Sequence, residues 1–172
     1  ILNISTYIYL FLASLATTPT LIKYLGIPAF SSYALALGIL ALTTSIDLGL
    51  SRSVVYYLAK SENLSDQSDI LSSSILLHTA LGFLFAIAAS YWFSVFLGVL
   101  IFLTFIVSHY QTYHESIGNF GIVNMRSFIV GTTNTVVAAY LSSRGYGVDL
   151  ILFSLSLATL ITIFIMSFNI PR

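Results

Sequence analysis

Few side chains in this sequence can do chemistry. Its 172 residues hold six Lys and Arg, six Asp and Glu and three His. Arg126 stands out, because a guanidinium fork matches the oxygens of a phosphate. Its competing reading is a positive anchor at a membrane face. Asn124 lies just before it, and Asn134 follows within Thr132-Thr133-Asn134-Thr135. Amides and hydroxyls at membrane depth either bind neighbouring helices or line a wet path. Asp47 and Arg52 are about 140° apart on an ideal helix, so they do not form a simple intrahelical pair. They read as a polar gate or substrate contact, or as an interfacial helix end with Arg52 snorkelling. His78, between Leu77 and Thr79, is either a neutral imidazole bonded to another helix or a proton-coupling group.

Other chemistries find no support. The chain has no Cys, which excludes disulfides, thiolate catalysis and Cys-based metal sites. It lacks HExxH, GxSxG and a phosphate-binding loop. His109 and His114 are five residues apart and do not share a helix face as an i,i+4 metal pair would. The carboxylates are scattered. We expect no cofactor, no metal and no catalytic group. A balanced charge leaves no basic surface for nucleic acid.

The elements that must position these residues are apolar helices. The chain is 58% hydrophobic and only 7% charged, with a mean hydropathy of +0.97. A soluble fold of this length could not hide so much apolar surface. A crossing needs about 20 mostly apolar residues. The pattern predicts an all-α polytopic membrane protein with about six spans, over 1–22, 30–50 (extending to 60), 70–89, 93–113, 120–141 and 150–168. Pro19 kinks the first span, with Thr17 and Thr18 placed to satisfy the carbonyl it frees. Lys23, an interfacial anchor, forms the first turn with Gly26 and Pro28. Residues 61–69 read as a solvated loop, with Ser65 or Ser68 capping the next helix. Tyr91, Trp92 and Phe93 mark the turn between spans three and four. Gly82 and Ala86 are among the small residues that allow close helix packing.

Six spans put both ends on one side. Arg52, Lys60, Arg126 and Arg172 then face Lys23 and Arg144 across the membrane, which favours cytoplasmic termini. The chain begins at Ile1 inside one apolar run and ends at Arg172 just after another, so it reads as part of a longer protein.

Two blocks carry a family resemblance. The first comprises Pro19, Leu25-Gly26, Phe30, the Ala- and Leu-rich run from Tyr33 to Leu42, Asp47-Leu48-Gly49-Leu50 and the run from Val54 to Lys60. The second is Phe120-Gly-Ile-Val-Asn124-Met-Arg126. Together they resemble the O-antigen-type polysaccharide flippases of the multidrug/oligosaccharidyl-lipid/polysaccharide superfamily. Ser31 departs from the family's usual Gly after Phe, and Arg126 comes one place early.

The resemblance implies one six-helix lobe of a two-lobe transporter, with a carboxy-terminal lobe as partner, around a central cavity. It also implies flipping of a polyprenyl-pyrophosphate-linked oligosaccharide across the cytoplasmic membrane, for surface polysaccharide synthesis. Arg52 and Arg126 would meet the pyrophosphate, and Asn124, Asn134 and Asp47 would line its path. Membrane lipid would be the other partner. A drug or cation antiporter of the same superfamily would require an acidic residue deep in the first helices, and helix one has none. A membrane enzyme acting on a lipid-linked substrate would rest only on His109, His114 and Glu115.

Overall fold

The computed structural model describes residues 2–45, 49–61 and 63–168, and every regular element among them is helical. Helix α1 (Leu2–Ser45) is one helical stretch interrupted at Gly26, whose φ of 75° and ψ of 161° are not helical. The chain reverses there. Leu10 lies against Gly131, while the Tyr33 hydroxyl donates to the Asn134 carbonyl at 2.9 Å. A straight helix would hold positions 10 and 33 about 35 Å apart, whereas 131 and 134 lie within about 5 Å along one helix. So α1 is a hairpin with arms 2–25 and 27–45. Glycine adopts the required φ without a steric penalty, and Pro28 beyond it lacks an N–H for the helical ladder.

Pro19 is tolerated differently from the sequence expectation. The Thr17 and Thr18 hydroxyls donate to the carbonyls of Ala13 and Ser14, at 2.8 and 2.7 Å. Each reaches its own i−4 carbonyl, as helical Thr does. Neither takes the Leu15 carbonyl that Pro19 leaves free.

Helix α2 (Leu50–Lys60) is separate from α1, because Gly49 before it sits at φ 74°, in the left-handed region. Val54 and Leu58, one turn apart, are its buried face. Arg52, Tyr56, Tyr57 and Lys60 are exposed. Helix α3 (Leu64–Trp92) starts inside the polar stretch expected to be a loop. Asn63 takes the N-cap position, not Ser65 or Ser68. Asp66 in the first turn complements the helix dipole. The Gln67 side chain ties the turn by donating to the Ser61 carbonyl at 3.0 Å.

Helix α4 (Val95–Ser116) follows after two residues. Its N-cap Ser94 accepts from the Phe96 N–H at 3.3 Å. The same hydroxyl donates to the Asp149 carboxylate at 2.8 Å. Helices α3 and α4 form the most extensive pairing in the molecule. A Cβ on Gly82 would come within 2.8 Å of the Phe105 Cβ, and one on Gly98 within 2.6 Å of the Ala86 carbonyl. Phe85 and Phe105 stack with centroids 5.7 Å apart.

Helix α5 (Phe120–Thr132) runs through a π-helical turn (Thr133–Val137) into α6 (Ala138–Ser143). Helix α7 (Val148–Phe168) ends the described chain. The core centres on α4, where Leu97, Leu100, Ile101 and Phe105 meet Ile151, Leu152 and Leu155 of α7. Outside it, large apolar side chains are bare: Ile4, Tyr7, Ile8, Phe11, Leu12 and Leu15 on arm one, and Phe153, Leu157 and Phe164 on α7. That surface suits lipid, not water. Four stretches among the described residues, Ile4–Ser45, Ser65–Trp92, Val95–Ser116 and Val148–Phe168, are long and apolar enough to cross a membrane. The chain is an all-α membrane-embedded protein.

Candidate functional site

Arg126, Val130 and Gly131 of α5 and Asn134 of the π-helical turn recur at near-helical spacing and line one face. Leu37, Leu40, Ala41 and Thr44 do the same on the second arm of α1. These two faces, with Leu100 and Thr104 of α4 and Leu155 and Thr159 of α7, enclose a cavity of about 320 Å³. The walls are mostly apolar, and the polar groups have distinct roles.

Three threonines spend their hydroxyl protons on their own helices. Thr44 donates to the Ala41 carbonyl at 2.9 Å, Thr104 to Leu100 at 2.7 Å and Thr159 to Leu155 at 2.8 Å. That leaves lone pairs at their oxygens. Asn134 is held by Tyr33, whose hydroxyl meets both its backbone carbonyl and its side-chain Oδ1. With Oδ1 engaged, the amide N–H groups of Asn134 remain as donors. The π-helical turn that carries Asn134 departs from the i→i−4 ladder, a feature frequent at functional positions.

Arg126 is the cation of this cavity. It makes no hydrogen bond or ion pair within the described residues. Glu115, at the end of α4, acts on it electrostatically, but that carboxylate is hydrogen-bonded by the Gln111 amide. Among the described residues, the guanidinium and the Asn134 amide are therefore donors without a resident acceptor. An anion within reach of both would receive charge-assisted bonds in a low-dielectric setting.

The residues singled out in the sequence do not all meet here. Arg126 and Asn134 share the cavity. Asn124 is half-buried on α5 but does not line it, since two residues along a helix turn a side chain about 200°. Arg52 is exposed on α2 and is not part of the cavity. Asp47 lies outside the described residues. Tyr33, Thr44, Thr104 and Thr159 were not anticipated. The i,i+3/i+4 recurrence of Leu37, Leu40, Ala41 and Thr44 was the available signal.

His78 sits elsewhere, completely buried in α3. Its Nδ1–H donates to the Ser74 carbonyl at 2.8 Å. The Ser74 hydroxyl also reaches Nδ1 of His109 at 3.1 Å, so two imidazoles share one serine. His114 points to α7 instead, donating from Nε2 to the Met166 carbonyl at 3.1 Å. Among the described residues no three His, Cys, Asp or Glu side chains gather as a metal site.

Fold and cavity together define the class: a polytopic helical membrane protein with a cation in a mostly apolar pocket. No family model matches the chain, and no curated protein or solved structure matches it either.

Proposed function

We propose that this chain is a helical lobe of a lipid-linked oligosaccharide flippase, and that the Arg126 cavity receives the pyrophosphate of the cargo. One observation carries the reading: a guanidinium without an ion-pair partner among the described residues, lining a pocket of about 320 Å³ together with the Asn134 amide two helical turns further on. A charged group at membrane depth costs about 2.5–3.5 kcal/mol on insertion scales, and a site that serves an anion gives that cost a purpose. The sequence blocks around Pro19, Gly49 and Arg126 support the same family. No covalent chemistry is needed, so the reading is of a transporter and not an enzyme.

Six crossings of the cell membrane fit this reading. The Gly26 reversal turns Ile4–Ser45 into two passes, and the run from Phe120 to Ser143 adds another. Arg52, Lys60 and Arg126 then belong to the end that holds the α2–α3 and α4–α5 turns, and Lys23 and Arg144 to the other. That asymmetry favours a cytoplasmic first end. A second lobe completes the path for the cargo, and the bare apolar faces give it surface to pack on.

The test is surface polysaccharide in cells whose only copy of the full protein carries Arg126→Ala or Arg52→Ala, with membrane protein levels measured in parallel. We expect loss with Arg126→Ala at a normal protein level, and near-normal polysaccharide with Arg52→Ala. Normal polysaccharide in Arg126→Ala would remove the role given to the cavity.

A further inference from the structure

We propose that Ser51, His78, Ser74 and His109 form a proton-binding relay that takes up one proton and shares it between the two imidazoles. The site is separate from the Arg126 cavity and does not depend on any cargo.

The hydrogen bonds give the chain a direction. A carbonyl can only accept, so the 2.8 Å contact to the Ser74 carbonyl places a proton on Nδ1 of His78. In the neutral ring Nε2 then carries a lone pair, and it lies 3.4 Å from the Ser51 hydroxyl of α2. On the other side, the Ser74 hydroxyl lies 3.3 Å from Nδ1 of His78 and 3.1 Å from Nδ1 of His109. The ring centroids are 6.2 Å apart. Three helices thus contribute one continuous chain of exchangeable protons.

The relay balances without a co-reactant. A proton arriving on Nε2 of His78 lets the Nδ1 proton pass to the Ser74 oxygen. The proton already on Ser74 passes to Nδ1 of His109. His78 is then neutral again, in its other tautomer, and His109 is the imidazolium. In that state the Ser74 hydroxyl donates back to Nδ1 of His78 and accepts from Nδ1–H of His109, while the Ser74 carbonyl gives up its bond from His78.

An entry path is present. A cavity of about 300 Å³ runs from Asp69, exposed near the start of α3, to His78, and is walled by Leu50 and Val54 of α2 and by Ile70 and Ser73. Asp69 is the carboxylate on this path. On α4, Tyr110 faces His109 edge-on with centroids 5.4 Å apart. From α2 the charged groups are Arg52 and Lys60, both exposed. Two imidazolium charges so close would repel, so the pair takes one proton and not two.

The test is nitrogen-15 NMR of histidine-labelled full chain in lipid nanodiscs, from about pH 8 to about pH 4, across the range where imidazoles change charge. Three His→Gln variants assign the signals, and His114 serves as the unlinked control. We expect His78 and His109 to shift with one common midpoint, each through only part of the neutral-to-cation range. Ser74→Ala should separate the two midpoints. Two complete and independent protonations in the unmodified chain would overturn the proposal. So would a pair that stays neutral throughout, or a common midpoint that persists in Ser74→Ala. The readout involves no transport, so its failure leaves the cargo assignment standing, and the reverse holds too.

Discussion

Tyr33→Phe removes one oxygen and tests how the cavity is held. Tyr33 is 3% exposed, and its hydroxyl serves both polar oxygens of Asn134. The hydroxyl has one proton, shared between the two oxygens, so the loss is of one bifurcated bond, and inter-helix hydrogen bonds in membranes are worth about 0.6 kcal/mol on average. The part-buried acceptors left behind raise the cost, since an unsatisfied buried group costs about 1–3 kcal/mol. We expect Tyr33→Phe to destabilise the protein by about 1–3 kcal/mol in reversible denaturation from mixed micelles. Asn134→Leu should cost a similar amount. The double variant should fall short of the sum by at least about 0.5 kcal/mol, as coupled neighbours do. Strict additivity, or a Tyr33→Phe cost below about 0.5 kcal/mol, would refute the idea that Tyr33 orders Asn134.

Other substitutions probe the frame. Gly26→Ala should cost about 1–3 kcal/mol in the same denaturation assay, because φ 75° with ψ 161° strains an L side chain. Gly82→Val should cost about 1–3 kcal/mol by overpacking against Phe105, while Gly38→Ala, with nothing within 4 Å of its new Cβ, should be close to neutral. The chain has no native Cys, so single cysteines report topology directly. Cysteines at Lys23 and Arg144 should react with an impermeant maleimide from one side of the membrane, and cysteines at Lys60 and Ile117 from the other. Reaction of all four from the same side would exclude six passes.

Much of the fold was legible because lipid imposes a simple pattern. Apolar runs of crossing length, broken by Gly26-Ile27-Pro28, Tyr91-Trp92-Phe93 and Gly145-Tyr146-Gly147, locate the turns without any tertiary knowledge. The start of α3 was misread because polar residues at a helix end look like a loop. Asp66 and Gln67 are polar for the sake of the first turn of the helix. The caps were misread for a related reason, since several serines compete and tertiary fit decides among them. The cavity was half legible. Arg126 and Asn134 lie eight residues apart on one helix, which local spacing can reveal. The threonines come from three other elements, and no local spacing brings them together. The histidine pair lay between these cases. His78 and His109 are nearly equidistant from the turn at Phe93, so an antiparallel hairpin sets them at one depth. The partnership through Ser74 needed the helix rotations as well.

The most direct test of the cavity's role uses the full protein in proteoliposomes with a fluorescent polyprenyl-pyrophosphate oligosaccharide, measuring the rate at which the label changes leaflet. A hydrogen bond to a charged group is worth about 1.5–3 kcal/mol, so Arg126→Ala should slow flipping by about ten-fold to 150-fold, and Arg52→Ala should leave the rate nearly unchanged. An unaltered rate in Arg126→Ala, with the variant folded and inserted, would contradict the assignment of this cavity to the pyrophosphate.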